Sequence, residues 1–456
     1  MKTLQQLAYA IDAEYIGPDV AVQTISHDTR TLMKGDTYIA LKGERLDGHD
    51  FIDEAVAQGA AAVIVSEKTV NINIPHMKVK DTTIALGQMA KVWREQFDLK
   101  IAAITGSAGK TTTRNILHAI LQGAAQTLLP TKNYNNHWGV PLTLMRLRSD
   151  DDYAVLELGA NHAGEIAYTV GLTQPDVAVL TNAGASHLEG FGSIDGVARA
   201  KAEIFQGLKA KKGTAVLNKD DKFYAFWQQQ LESECVNYLS FGLDESADIY
   251  ATDIQMTGEG SSFTLHIFSE CFAVILPLLG VHNVKNALAA VTAAVALKIN
   301  YKHIINGLAQ VKPEPGRLSL MPTVAGVRLI DDTYNASVNA VLSALEVLAA
   351  FSGQRIAVLG DMGELGADEI SYHRQVGQAA RELGIEQLYT VGEKMHYAAQ
   401  AFGVNSRHFA NKNDLVDVLK ESVGESPVTM LVKGARAMQM ESIVKALQQH
   451  NEDVLC

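Results

Sequence analysis

The stretch Thr105-Gly106-Ser107-Ala108-Gly109-Lys110-Thr111-Thr112 has the residue types and spacing that gather a phosphate. Its glycines let the backbone curl until several N–H groups face one anion. A helix opening directly after the turn would add its positive N-terminal end. Lys110 could reach the terminal phosphates of a nucleotide, and the Thr111 hydroxyl could ligate Mg²⁺. The common template is G-x-x-x-x-G-K-[ST]. Here Ile104 stands at its first glycine, so the loop reads G-x-x-G-K-T and is two residues shorter. An apolar run, Ile101 to Ile104, precedes it. That context favours nucleotide phosphate binding by Gly106 to Thr112 over a plain strand-to-helix turn.

Two further residues stand where a parallel sheet would offer them to a ligand, beyond the C-terminal ends of strands. Glu157 is the lone acid of Val155-Leu156-Glu157-Leu158-Gly159. A carboxylate in an apolar strand is costly unless it is paired or binds metal, so it reads as a metal ligand or as a salt-bridged structural acid. His187 follows the small-residue loop Asn182-Ala183-Gly184-Ala185-Ser186. A satisfied loop histidine is the plainer reading of it, because Mg²⁺ prefers oxygen. Lys201, in Arg199-Ala200-Lys201-Ala202-Glu203, reads as an ordinary lysine on a helix surface.

The elements that must position these groups fall into three blocks of an α/β chain. The first, 1–98, has strands at Asp36 to Leu41 and Ala62 to Val65 and a helix at Phe51 to Gln58, with Gly59 at its C-cap. The second, 99–312, has strands at Ile101 to Ile104, Ala154 to Leu158, Val177 to Thr181 and Thr214 to Leu217, with helices between. That alternation implies a mostly parallel sheet flanked by helices. From Tyr250 to Pro277 the pattern is strand-rich, suggesting an antiparallel extension, and an alanine-rich buried helix, Ala287 to Leu297, follows. The third, 313–456, opens on a linker containing Pro313 and Pro315 and has strands at Arg355 to Leu359, Gln387 to Val391 and Thr429 to Val432.

The 456 residues are 47% hydrophobic with a formal net charge of −12, which suits packed domains and argues against a nucleic-acid partner. Cys235, Cys271 and Cys456 form no CxxC pair and no disulfide framework, so a reducing compartment is expected. No cationic segment leads into a long apolar core at the start of the chain, and no run approaches the roughly 20 apolar residues of a membrane span. A cytoplasmic protein is the expectation.

Taken together, the motifs identify a resemblance to the Mur ligases. It is carried by Asp28-Thr29-Arg30, Asp47-Gly48-His49-Asp50-Phe51, the phosphate turn, and Asn135-Asn136 followed by Gly139-Val140-Pro141. Glu157-Leu158-Gly159, Ala200-Lys201-Ala202-Glu203, His282-Asn283 with Asn286, Gly316-Arg317, Asp331 to Ala336, Leu359-Gly360-Asp361-Met362 and Val432-Lys433-Gly434 continue it in order. The resemblance implies three domains: a small α/β domain for the UDP end of a muramoyl peptide, a central P-loop ATPase with a mostly parallel sheet, and a Rossmann-like C-terminal domain. It implies a monomer that uses ATP and two Mg²⁺ ions to join D-alanyl-D-alanine to a UDP-muramoyl tripeptide through an acyl phosphate, as cell-wall synthesis requires.

The same resemblance assigns roles. Lys110 is the phosphate lysine, and Thr111 a ligand of one Mg²⁺. Glu157 and His187 are similar to ligands of a second. Lys201 resembles a carbamylated lysine, whose added carboxylate would suit a metal where an ammonium would be repelled. Asn283 and Asn286 would contact adenine; Arg317 and Asp332 would hold the nucleotide from the C-terminal side. Asp28, Thr29, Arg30, Asn135, Asn136, Asn335, Lys433 and Arg436 would contact substrate. The chain departs from the pattern at Thr29, where serine is usual, and at Ser337-Val338, where Asn-Pro is expected. His137-Trp138 is also unusual; its indole would stack on a ligand or pack. The competing readings are a sister amide ligase of the same superfamily, a P-loop NTPase switch, and a nucleotide-binding scaffold without turnover.

Overall fold

A computed structural model describes residues 3–66, 72–131, 133–321, 327–421 and 427–455. Cys456 lies outside the described residues; Cys235 and Cys271 are free and exposed. Three sheets follow one another along the chain. The first has five strands in the order Glu14–Ile16, His76–Val79, Ala62–Ser66, Thr37–Ile39, Ile25–Ser26, parallel except at its first edge. Between them the expected helix runs Ile52–Ala57, and Gly59 takes φ +94° just past its end.

The central sheet has nine strands. Its parallel core places Lys100–Thr105 between Tyr153–Glu157 on one side and Val177–Leu180 on the other, and Thr214–Asn218 then Asn237–Gly242 continue outward from the latter. The expected antiparallel extension is present: Ile249–Met256, Ser261–Ile267 and Glu270–Leu276 form a meander, joined to the core by a parallel pairing of its first strand. Asn237–Gly242 was not anticipated, because its alternating polar residues resemble a loop. The alanine-rich helix runs Val281–Ala296 and is buried along most of its length. Small side chains let it lie close to the sheet and to the helix Lys110–Gln122 in one apolar cluster.

The third sheet has six strands, five of them parallel, centred on Val428–Lys433 between Val327–Asp332 and Gln354–Gly360. It has its own apolar clusters on its two faces. The first sheet is docked differently. One continuous cluster runs from Leu4 and Leu86 through Trp93 into Leu142, Ile166 and Phe205 of the central part. Arg94 Nε also donates to the Thr173 carbonyl at 3.0 Å, buried in that junction. Among the described residues, no helix is long and apolar enough to cross a membrane.

Candidate active site

The chain leaves Lys100–Thr105, forms two strands on one side of it, and returns to its other side with Val177–Leu180. A crevice opens at such a reversal, beyond the C-terminal ends of the strands. The phosphate loop and the Asn182 to His187 loop fill its two rims and bind each other. Ser107 N–H donates to the Asn182 carbonyl at 3.0 Å and Ala108 N–H to Asn182 Oδ1 at 2.9 Å. Thr181 Oγ1 donates to the Ala108 carbonyl at 2.6 Å. Thr181 and Asn182 were not singled out in the sequence; their signal was position, at the end of the strand beside the loop.

The loop's glycines are fixed by space as well as conformation. Gly106 has φ +150°, and a Cβ there would stand 1.9 Å from Thr181 Oγ1. Gly109 has φ +80°, and its Cβ would meet Asn286 Oδ1 at 2.1 Å. Asn286 Nδ2 in turn donates to Asn283 Oδ1 at 3.0 Å, and Asn283 Nδ2 donates to the Leu279 carbonyl at 2.7 Å. The two predicted adenine-side asparagines thus brace the loop's end and each other. Asn283 lines a narrow recess with Thr112, Asn115 and Arg317.

Glu157 is buried at the centre. Its Oε2 accepts from Thr111 Oγ1 at 2.9 Å and lies 3.6 Å from Arg114 Nη1, while Oε1 accepts from Asn135 Nδ2 at 2.9 Å. Burial alone would raise its carboxyl, but Lys110, Asn135, Arg114 and Thr111 outweigh that and hold it below the ordinary range. Burial also pushes the Lys110 ammonium below its ordinary value, with Glu157 opposing. Lys110 Nζ donates to the Gly106 carbonyl at 2.7 Å, so it is folded back over its own loop. Arg317 arrives from beyond the proline linker and donates through Nη2 to Thr111 Oγ1 at 2.9 Å, its guanidinium 4.1 Å from the Tyr334 ring centre. One hydroxyl therefore joins the loop, Glu157 and the C-terminal side.

Lys201 overturns its reading as a surface lysine: it is 1% exposed. The helix Ile194–Ala202 turns that face inward, onto the Phe191 ring, 5.3 Å from Nζ. Its Nζ donates to the Ala160 carbonyl at a long 3.5 Å. Burial and then Lys110 pull its pKa down to about 7. His187 sits at φ +50° and pairs through Nδ1 with Glu364 Oε2 at 2.6 Å; Glu364, at φ +60°, belongs to the C-terminal part. Among the described residues no three His, Cys, Asp or Glu side chains converge on a metal position.

The remaining predicted residues divide. Asp332 and Lys433 form a buried pair at 2.5 Å, and Lys433 also donates to the Asn335 carbonyl at 2.8 Å. Burial raises the Asp332 carboxyl, and Lys433 offsets this in part. Asn335 Oδ1 accepts from Ala336 N–H at 2.9 Å and Arg436 N–H at 3.3 Å, so the loop is tied without a proline. Arg436 itself reaches Glu441 at 3.0 Å. In the first block Asp28 caps a short turn, binds Arg30 at 2.7 Å and leaves Thr29 buried. The structure does not bring these three to the phosphate loop. Their neighbour His27 faces Tyr134 and Trp138 across the junction with the central part. Trp138 Nε1 donates to Thr83 Oγ1 at 3.1 Å, a packing role, and Asn136 Oδ1 caps the turn at Gly139 N–H, 2.8 Å. Asn135, expected on substrate, donates to Glu157.

Fold and site together define a three-part α/β protein that presents a phosphate loop and a buried carboxylate at a sheet crossover. Family models agree in all three parts: "Mur ligase family, catalytic domain" over residues 21–94, "Mur ligase middle domain" over 104–294, and "Mur ligase, glutamate ligase domain" over 316–436. The chain is 44% identical over 98% of both lengths to the UDP-N-acetylmuramoyl-tripeptide–D-alanyl-D-alanine ligase of Escherichia coli. It is 33% identical, again over 98% of both, to the enzyme of that name from Bacillus subtilis. A crystal structure of MurF from Acinetobacter baumannii superposes with TM-score 0.92 at 36% identity, covering 98% of each chain. MurF from Thermotoga maritima in complex with ADP gives 0.84 at 28% identity, over 95% of this chain and 98% of that one. This chain belongs to the Mur ligase family.

Proposed function

We propose that the chain is an ADP-forming ligase that joins D-alanyl-D-alanine to UDP-N-acetylmuramoyl-tripeptide, giving the pentapeptide precursor of peptidoglycan. The observation that carries it is the meeting of the phosphate loop, Glu157 and Arg317 at Thr111, at the crossover of a sheet shared with ligases of that name. The reaction needs it: a carboxylate does not condense with an amine unaided, and ATP makes it an acyl phosphate. Carboxylate and γ-phosphate are both anionic, so the loop amides, Lys110 and Arg317 must offset their repulsion. Lys110, now on the Gly106 carbonyl, would swing to the phosphates.

The donors fit magnesium. Thr111 and Glu157 are hard oxygen ligands 2.9 Å apart, and bound Mg²⁺ would supply charge neutralisation at the phosphates. Two ions are proposed, the second held by Glu157, His187 and Lys201. Lys201 fits as a carbamate, since its ammonium is sealed in without a carboxylate at ion-pair distance among the described residues. His187 would have to leave Glu364 to take part. The domain limits 1–98, 99–312 and 313–456 belong to the same reading, as do the adenine side at Asn283 and Asn286, the nucleotide contact of Asp332, and the substrate contacts of Asp28, Thr29, Arg30, Asn135, Asn136, Asn335, Lys433 and Arg436. The linker around Pro313 and Pro315 would be the hinge on which the C-terminal part closes over the acyl phosphate, excluding the water that would hydrolyse it. A cytoplasmic location belongs to the same reading.

The test is an incubation with ATP, Mg²⁺, the UDP-muramoyl tripeptide and D-alanyl-D-alanine, followed by mass spectrometry and phosphate release. A new pentapeptide adduct that Lys110→Ala fails to make is expected. Phosphate released steadily without the dipeptide, with no adduct, would point to an NTPase switch.

A further inference from the structure

The helix Glu165–Thr173 starts without a cap of its own. Gly164 stands at its N-cap position with φ +89° and offers no side chain, while the first N–H groups of a helix have no partner within it. A carboxylate from elsewhere supplies the cap. Glu203 Oε1 accepts from Gly164 N–H at 2.8 Å and Oε2 from Ala167 N–H at 3.0 Å, across 39 and 36 residues of chain. Its negative charge also suits the positive end of that helix. Glu203 opens the 3₁₀ helix Glu203–Lys211, directly after the helix that carries Lys201. We infer that Glu203 is a positioning residue for Lys201: by capping Glu165–Thr173 it fixes the loop that Lys201 grips, and it keeps its own carboxylate off the Lys201 amine. The inference rests on the ligase reading above, with Lys201 as a carbamate.

Three observations support it. The first is the loop itself, residues 159–164, which joins the strand of Glu157 to the capped helix. Gly159 N–H donates to the Asn135 carbonyl at 2.8 Å, Lys201 Nζ reaches the Ala160 carbonyl at 3.5 Å, and Asn161 N–H donates to Glu165 Oε2 at 2.8 Å. Glu203 closes the far end at Gly164. Lys201 and Glu203 thus hold one loop at two points. Without Glu203, the Ala160 carbonyl would lose its fixed place between Glu157 and Lys201.

The second is the cover over Lys201. The short helix Leu188–Phe191 lays the Phe191 ring 5.3 Å from Nζ. Its Gly190 abuts the same loop: a Cβ there would stand 2.0 Å from the Asn161 carbonyl oxygen. A shift of the loop would therefore displace the ring that seals Lys201.

The third is what the nearby carboxylates do. Glu165 and Glu203 both act on the Lys201 charge, yet backbone N–H groups engage each of them. Among the described residues neither forms an ion pair with Lys201. A carboxylate released from those donors would be free to swing onto Lys201, as Asp332 sits on Lys433. An ammonium so paired has no lone pair with which to attack carbon dioxide. Left unpaired, the amine can attack: a C–N bond forms, one C=O electron pair moves onto oxygen, and one proton leaves the nitrogen to water.

The experiment supplies isotopically labelled bicarbonate to wild type, Glu203→Gln, Glu203→Asp and Lys201→Ala. Carbon NMR reads the carbamate resonance that Lys201→Ala lacks, alongside kcat and the KM of each substrate. Glu203→Gln keeps the size of the side chain but offers one acceptor oxygen to two N–H donors. It should lower carbamate occupancy and kcat about tenfold or more, with every KM within about twofold. Glu203→Asp keeps the charge with a shorter reach, so a smaller loss of both is expected, and it decides the matter if Glu203→Gln does not fold. Carbamate occupancy equal to wild type in the folded variants, whatever happens to thermal unfolding, would show a merely structural cap and overturn the inference. A wild type without the resonance would overturn it together with the carbamate reading of Lys201. A wild type that carries carbamate yet makes no adduct would instead sink the ligase reading alone.

Discussion

Lys201 and Lys433 are both nearly sealed from water, at 1% and 3% exposure, yet among the described residues only Lys433 meets an acid at ion-pair distance. Lys433 pairs with Asp332 at 2.5 Å and is further held by the Asn335 carbonyl. Lys201 has a carbonyl at 3.5 Å and an aromatic face, and its pKa falls to about 7. A buried charge costs several kcal/mol unless geometry answers it. In Lys433 the fold settles that charge within itself, through Asp332. In Lys201 it does not, and the charge stays unsettled near Lys110 and Glu157. Buried lysines are thus sorted by their partner and not by their burial.

Several substitutions would break or sharpen that contrast. The largest effect should be in turnover. Lys201→Met should slow product formation by several decades, each about 1.4 kcal/mol of barrier, while leaving thermal unfolding no lower than in wild type. In Lys201→Ala, short carboxylic acids should restore part of the rate by replacing the lost carbamate; no rescue in a folded, ATP-binding variant would argue against carbamylation. Next, Lys433→Met should lose about 3–5 kcal/mol in urea unfolding, because Asp332 is left buried and alone. Adding Asp332→Leu should recover most of that loss. Equal unfolding midpoints for Lys201→Met and Lys433→Met would erase the distinction.

A pH series in carbon-dioxide-free buffer is subtler. Lys201 titrates at about 7 in the fold against an ordinary 10.5, so the unfolded chain binds the extra proton between those values. The penalty is complete below about pH 7 and is relieved as pH rises towards 10.5. Wild type should therefore gain stability over that window relative to Lys201→Met. Parallel curves would show that the lysine is not strained when charged. The smallest effect belongs to the exposed inter-domain pair: Glu364→Gln should cost about 1 kcal/mol or less, since Glu364 is 63% exposed at its side chain and solvent screens the bond to His187. Differential scanning calorimetry would resolve it, and a larger loss would make that pair a latch.

Some of this was open to reading residue by residue, and some was not. The phosphate turn, the strands Lys100–Thr105 and Tyr153–Glu157 and the helix Val281–Ala296 follow from local rules: glycines that tolerate positive φ, apolar runs, and small residues at helical spacing. The lone acid Glu157 announced itself because an apolar strand around a carboxylate is a local contradiction. Lys201 gave no such sign, since its helix carries charged and small residues that suit a surface equally well. Its burial depends on what the rest of the chain lays over it. Asp332 and Lys433 are register partners on adjacent parallel strands but 101 residues apart in sequence, and Asn135 reaches Glu157 from a separate loop. The sequence alone therefore determined which groups could handle a phosphate, through backbone preferences that act over a few residues. Which of the charged groups would be answered and which left waiting was decided only by the tertiary structure, because sheet register and domain packing choose each partner.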